Sequence, residues 1–224
     1  MLGSDVDSLT QATLGAAVAE AGLGRSLGRK AMLWGLLLGT FPDLDILAYP
    51  LLDVTGQLYW HRGLSHSIMA MVVISPLLGL ILHKIHGAKA PPIRAIWTCF
   101  WIYATHVLID CFTVYGTQIF EPFSDYRFGL NNLFIIDPLF TLPLIAGLVG
   151  AFFLRKRPQW RNRANWIGIG LCTLYVVWSF GAKAIISHRV TSELSRQGIE
   201  VQRGFTHPSP FNTILWRSLH ESED

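Results

Sequence analysis

Apolar residues along this chain gather in long runs rather than in the short-period alternation of a water-soluble core. Four runs approach the ~20 residues that a membrane-crossing helix needs: residues 67–82, 93–112, 134–154 and 164–186. A fifth, 31–52, is apolar but interrupted by Pro42, Asp43 and Asp45. A sixth, 8–24, is short and built from Ala, Gly, Leu and Val, which suits close helix packing in lipid; Asp7 or Ser8 is placed to cap its first turn. The pattern predicts an all-α, multi-pass transmembrane bundle of five or six helices over residues 1–186. A polar tail follows over 187–224, where Pro208 and Pro210 disfavour a long helix.

Composition strengthens that reading. Of 224 residues, 51% are hydrophobic and only 15% are charged, against about 25% charged in a typical soluble domain. The net charge of +3 is too small to point to nucleic acid, but its distribution is informative. Arg25, Arg29 and Lys30, then Lys84, Lys89 and Arg94, then Arg155, Lys156, Arg157, Arg161 and Arg163 occupy alternate connections. The loops between, 40–66 and 113–133, carry only Arg62 and Arg127. By the positive-inside rule the basic loops are cytoplasmic, and the poor loops and the tail face out. The N-terminus lacks the basic and apolar regions of a secretory signal. The tail stops abruptly after an apolar-then-charged stretch, as a shortened parent would. Cys99, Cys111 and Cys172 are odd in number and lack a CxxC spacing, so they read as small apolar fillers.

Several polar residues are out of keeping with this background. Asp43 and Asp45 follow Pro42 at membrane depth, where carboxylates are costly and usually functional; on an extended segment an i, i+2 pair projects to one side. His61 and His66 bracket Arg62, Gly63, Leu64 and Ser65 just before a span. Their spacing of five places them about 140° apart on an ideal helix, so Gly63 is expected to turn the chain between them, with Ser65 as the cap. His106, Asp110 and Thr113 share one face of one span. Asp137 before Pro138 reads first as a helix cap. All these residues map to the same face of the bundle, and Asp7, Thr10 and Gln11 join them if 8–24 crosses. Mixed His and Asp donors suit zinc, with manganese or ferrous iron as alternatives, singly or in pairs.

These motifs have a familiar combination. Asp7-Ser8-Leu9-Thr10-Gln11, Leu14-Gly15-Ala16-Ala17, Pro42-Asp43-Leu44-Asp45, His61-Arg62-Gly63-Leu64-Ser65-His66-Ser67 and His106-Val107-Leu108-Ile109-Asp110 resemble the bacterial inner-membrane metal-dependent hydrolase family, also described as LexA-binding and YdjM-like. The resemblance runs from Asp7 to about Asp137, with a weaker echo at Pro208-Ser209-Pro210-Phe211-Asn212. It implies a multi-pass inner-membrane protein and a metal-dependent hydrolase. A distant similarity to the zinc-dependent phospholipase C fold would imply phosphoester substrates. Many relatives carry His where this chain has Gln11, a poor ligand, for which Glu20 is the one nearby substitute. The LexA-binding label implies a cytoplasmic contact that no residue here locates.

The resulting expectation is a divalent metal centre near the outer face, drawing on Asp43, Asp45, His61, His66, His106 and Asp110. The expected substrate is an ester, most plausibly a phosphoester, of a membrane lipid or lipid-linked molecule. Arg62 is expected to hold a phosphate through paired hydrogen bonds; Asp45 or Asp110, whichever is free of metal, would act as general base. Two alternatives use the same residues: a metal-stabilised scaffold without catalysis, whose coordination shell would be closed, and a transporter with His106 and Asp110 as a relay.

Overall fold

The computed structural model describes residues 4–53, 56–57 and 60–222, with side chains from residue 8 onward. Six long α-helices are described: α1 (Ser4–Leu27), α2 (Arg29–Gly39), α3 (Ile68–His86), α4 (Pro92–Phe112), α5 (Pro138–Phe153) and α6 (Pro158–Arg196). Short 3₁₀ segments, Pro42–Leu51 and Leu64–His66, lie between α2 and α3. Helix α1 spans Ser4–Leu27, so Ser8 lies inside it rather than at its cap; the side chain of Asp7 is outside the described residues.

Among the described residues, three helices are long and apolar enough to cross a membrane: Ile68–Lys89, Pro92–Phe112 and Pro158–Arg196. The pair Arg29–Gly39 and Pro42–Leu51, bent by 41°, makes a fourth if it is one broken span, and Pro138–Phe153 is apolar but shorter. The break falls where Pro42 cannot donate a helical hydrogen bond. The apolar side chains face outward as lipid requires: Val72, Val73, Leu77 and Ile85 of α3 are each more than half exposed.

The expected short helix at residues 8–24 is instead the hub of the bundle. Helix α1 packs against α2, α4, α5 and α6, and it buries Ala16, Ala17, Ala19 and Leu23 almost completely. Gly15 makes this possible. A Cβ there would collide with the Gly35 carbonyl and lie 2.7 Å from the Gly39 Cα. Without a hydrophobic force between helices in lipid, such backbone approach is what gives van der Waals contact its area. At the far end Glu20, 5% exposed, pairs with Arg161 of α6 at 2.5 Å. Glu20 therefore has its own partner and does not replace a ligand at Gln11.

The tail departs from the all-α expectation. Helix α6 runs unbroken through residue 186 to Arg196, and two antiparallel strands follow, β1 (Val201–Pro208) and β2 (Trp216–Ser222). Pro208 ends β1, consistent with its missing N–H. The hairpin loop returns to the bundle, where the Thr213 amide donates to the Tyr175 hydroxyl at 3.2 Å.

Candidate metal centre

Four side chains from three separate elements converge where α1, α2 and α4 meet the loop before α3. Asp43 comes from the 3₁₀ segment after the Pro42 break, His66 from the 3₁₀ turn before α3, and His106 and Asp110 from consecutive turns of α4. One donor atom of each lies within 4.8 Å of all the others. His66 Nε2 is 3.1 Å from His106 Nε2, 3.2 Å from Asp110 Oδ2 and 3.3 Å from Asp43 Oδ1. His106 Nε2 is 3.5 Å from Asp43 Oδ1 and 3.7 Å from Asp110 Oδ2. Around a zinc-sized ion with donors at about 2.0–2.1 Å, a tetrahedron has edges of about 3.3 Å. The measured separations bracket that value.

The supporting contacts fix which nitrogen each imidazole offers. His106 Nδ1 lies 2.6 Å from the Gly39 carbonyl, which can only accept, so Nδ1 carries the proton and Nε2 presents its lone pair. Ser65 Oγ donates to Asp45 Oδ2 at 2.9 Å and lies 2.9 Å from His66 Nδ1, so it accepts from that nitrogen and leaves His66 Nε2 as the donor atom. The two Nε2 atoms face each other at 3.1 Å, so a cation, either a shared proton or a metal ion, belongs between them. Burial disfavours a charged His66, yet the hydrogen bonds and charges of Asp110 and Asp43 outweigh burial and raise this imidazole to about 9. The carboxylates thus draw positive charge to this spot.

Asp110 is wholly buried and divided in its duties. Its Oδ1 accepts from Gln11 Nε2 at 2.9 Å and pairs with Arg62 at 3.1 Å. Its Oδ2 faces the cluster, 3.2 Å from His66 Nε2, where burial calls for a positive partner, a protonated imidazole or a metal ion. Arg62, 2% exposed, also donates to Thr113 Oγ1 at 2.8 Å. Its φ of +59° is a left-handed conformation held only when the surroundings demand it. That turn aims its amide at Asp45, 3.3 Å away, and its guanidinium at Asp110.

The six expected ligands therefore separate into two layers. Asp43, His66, His106 and Asp110 form the cluster. Asp45 and His61 pair with each other beside it, at 3.2 Å, and His61 is one-third exposed. The reason is helical pitch: Asp43 and Asp45 lie on a 3₁₀ helix rather than an extended strand. At three residues per turn, neighbours at i and i+2 diverge by about 120°. Ser67, not Ser65, caps α3, accepting from the Ala70 amide at 3.0 Å. Asp137 caps α5 by accepting from the Leu139 amide at 3.0 Å and takes a hydrogen bond from Tyr175 at 2.7 Å, outside the cluster. The Gly39 carbonyl, the Ser65 relay and Tyr103, whose hydroxyl donates to the Ser65 carbonyl at 2.5 Å, have no signature in sequence spacing. Cys99, Cys111 and Cys172 are free and buried, as fillers should be.

Over 107 residues the chain is 29% identical to the uncharacterized protein YfhP of Bacillus subtilis (strain 168), covering 48% of this chain and 32% of that protein. Over 118 residues it is 30% identical to the inner membrane protein YbcI of Escherichia coli (strain K12), covering 47% of this chain and 64% of that protein. The chain thus spans from about a third to just under two-thirds of the length of these relatives. No solved structure matches it. The model of the YdjM inner membrane protein family matches residues 6–186, a range that holds every member of the cluster, and the chain belongs to that family.

Proposed function

We propose that this protein is a membrane-bound metal-dependent hydrolase that cleaves a phosphoester, or another ester, of a lipid or lipid-linked molecule at the outer membrane face. The observation that supports it is the convergence of Asp43, His66, His106 and Asp110, one donor atom of each lying within 4.8 Å of all the others. These four residues would hold the ion, zinc first and manganese or ferrous iron as alternatives. A divalent cation there supplies Lewis-acid polarisation of the ester and activation of water.

The remaining residues have roles that their contacts suggest. Asp45 stands beside the cluster with His61 at 3.2 Å, so it can accept a proton from water and share it with His61. Arg62 is committed to Asp110 and Thr113, which favours a positioning role over the substrate clamp expected from sequence. Asp45 and His61 are also the donors nearest to hand for a second ion. The scarcity of basic residues in loops 40–66 and 113–133 supports the outward orientation.

One observation favours a second reading. Four protein donors complete a tetrahedral shell, which is the signature of a structural rather than a catalytic zinc. Asp43 is the opening in that shell, because its carboxylate is 15% exposed while the other three side chains are at most 1% exposed. Phosphate release separates the two readings. Detergent-purified protein given phosphatidic acid is expected to release inorganic phosphate, to stop when chelated and to recover with added zinc or manganese. His66→Ala should release none. A metal-loaded, folded protein inert toward phosphatidic acid and toward carboxylic-ester lipids would leave the scaffold reading in its place.

A further inference from the structure

A groove of about 440 Å³ runs from Asp45 and Ser65, beside the cluster, along the lipid-facing side of α3, within the size range of ligand pockets. Its head is polar: Asp45 and Ser65 line it there, the same pair that orients His66. Its walls are apolar, formed by Trp60, Met69, Val73 and Ile74. Met69 is 41% exposed and Val73 56% exposed, on a helix whose apolar window is only 22% buried. The groove therefore opens sideways, toward hydrocarbon, rather than only toward water.

A bare lipid-facing helix has no reason to end its apolar groove on a carboxylate, which is costly at membrane depth even when it is paired, as Asp45 is with His61 and Ser65. A second, larger groove of about 510 Å³, lined by Trp97, Trp101 and Trp166, has no carboxylate or histidine in its wall. The difference marks the α3 groove as belonging to the site. We infer that the α3 groove seats one hydrocarbon chain of a membrane lipid, which enters laterally from the bilayer and brings the lipid's ester end to Asp45 and Ser65. This rests on reading the cluster as a metal centre, because the carboxylates alone would repel an anionic head group. It narrows the substrate to a bilayer-resident amphiphile. The chain passes from one hydrocarbon environment to another, so the groove contributes van der Waals fit and placement of the ester end rather than a hydrophobic gain.

The probe is phosphatidic acid carrying a diazirine in mid-chain. It is mixed into phosphatidylethanolamine–phosphatidylglycerol vesicles holding the wild-type protein, Val73→Trp or His66→Ala, and metal content is read on the same samples. After irradiation, labels on Met69, Val73 and Ile74 should exceed those in the Trp97–Trp101 groove several-fold. Val73→Trp fills the groove without touching the cluster, so it should remove that excess and keep its metal. Equal labelling of the two grooves, or labelling unchanged by Val73→Trp, would overturn the inference. Metal content separates the two levels of the argument. A wild-type protein without metal contradicts the metal centre, and excess labelling that persists in His66→Ala shows that the groove binds chains independently of it. Excess labelling that vanishes with the metal shows that the cluster holds the head group.

Discussion

Asp110→Ala is expected to be the most damaging single substitution in the protein, losing bound metal and fold together. Asp110 is wholly buried and pairs with Arg62, itself only 2% exposed. Removing one partner of a buried pair leaves the other charge uncompensated, at a cost of roughly 3–5 kcal/mol. Against a total stability of about 5–15 kcal/mol, that is enough to reduce the folded yield sharply. Asp110→Asn separates the two losses. The amide keeps an oxygen for Gln11 and Arg62 but not the charge, so the protein should be less destabilised than Asp110→Ala and still membrane-inserted, while the second oxygen that faces His66 and His106 is gone as a charged donor. Melting followed by size exclusion in detergent, with metal content on the same fractions, reads both. An Asp110→Ala protein that melts like wild type would show that the Arg62 pair carries little of the stability.

Gly15→Leu is expected to have the second-largest effect, and it acts far from any donor atom. A Cβ at Gly15 meets the backbone of Gly35 and Gly39, and backbone cannot swing aside as a side-chain tip can. Helices α1 and α2 must then separate, and the Gly39 carbonyl that holds His106 Nδ1 at 2.6 Å moves with α2. Gly15→Leu should yield little folded protein. Gly15→Ala adds one carbon, for which overpacking costs roughly 1–3 kcal/mol, and should lower both the melting temperature and the metal occupancy. Gly170 is the control, because a Cβ there meets nothing within 4 Å. Gly170→Ala should be neutral or stabilising by up to about 1 kcal/mol. Equal behaviour of the Gly15→Ala and Gly170→Ala proteins would refute the close-packing account.

Much of the site could be read from the sequence because lipid makes polar residues conspicuous. His106 and Asp110 stand four apart in an apolar span, and helix geometry alone puts them on one face. His66 was marked by its place before a clean span, and Gly63 does turn the chain there, into the 3₁₀ turn of Leu64–His66. Spacing could not reveal how the carboxylates divide. That depends on whether the segment after Pro42 is extended or 3₁₀, and the same Pro permits either. The part of Gln11 was half visible, since its helix placed it on the right face. Its hydrogen bond to Asp110 depends on how closely α1 approaches α4. The central position of α1 was hidden for a related reason: small residues give weak hydropathy, and their value lies in the contacts they allow. The β-hairpin was missed because two short, polar strands carry no apolar alternation strong enough to stand out against a flexible tail.

Every role proposed for this site depends on Asp43, His66, His106 and Asp110 holding a divalent ion. Elemental analysis of the detergent-purified protein, prepared without chelator and shown to be folded, tests it most directly beside the variant Asp43→Ala/His66→Ala. Near-stoichiometric zinc, manganese or iron is expected in the wild type and none in the double variant. A wild type without metal, or a double variant that keeps its metal, would contradict it and leave a network of His and Asp hydrogen bonds that joins the helices.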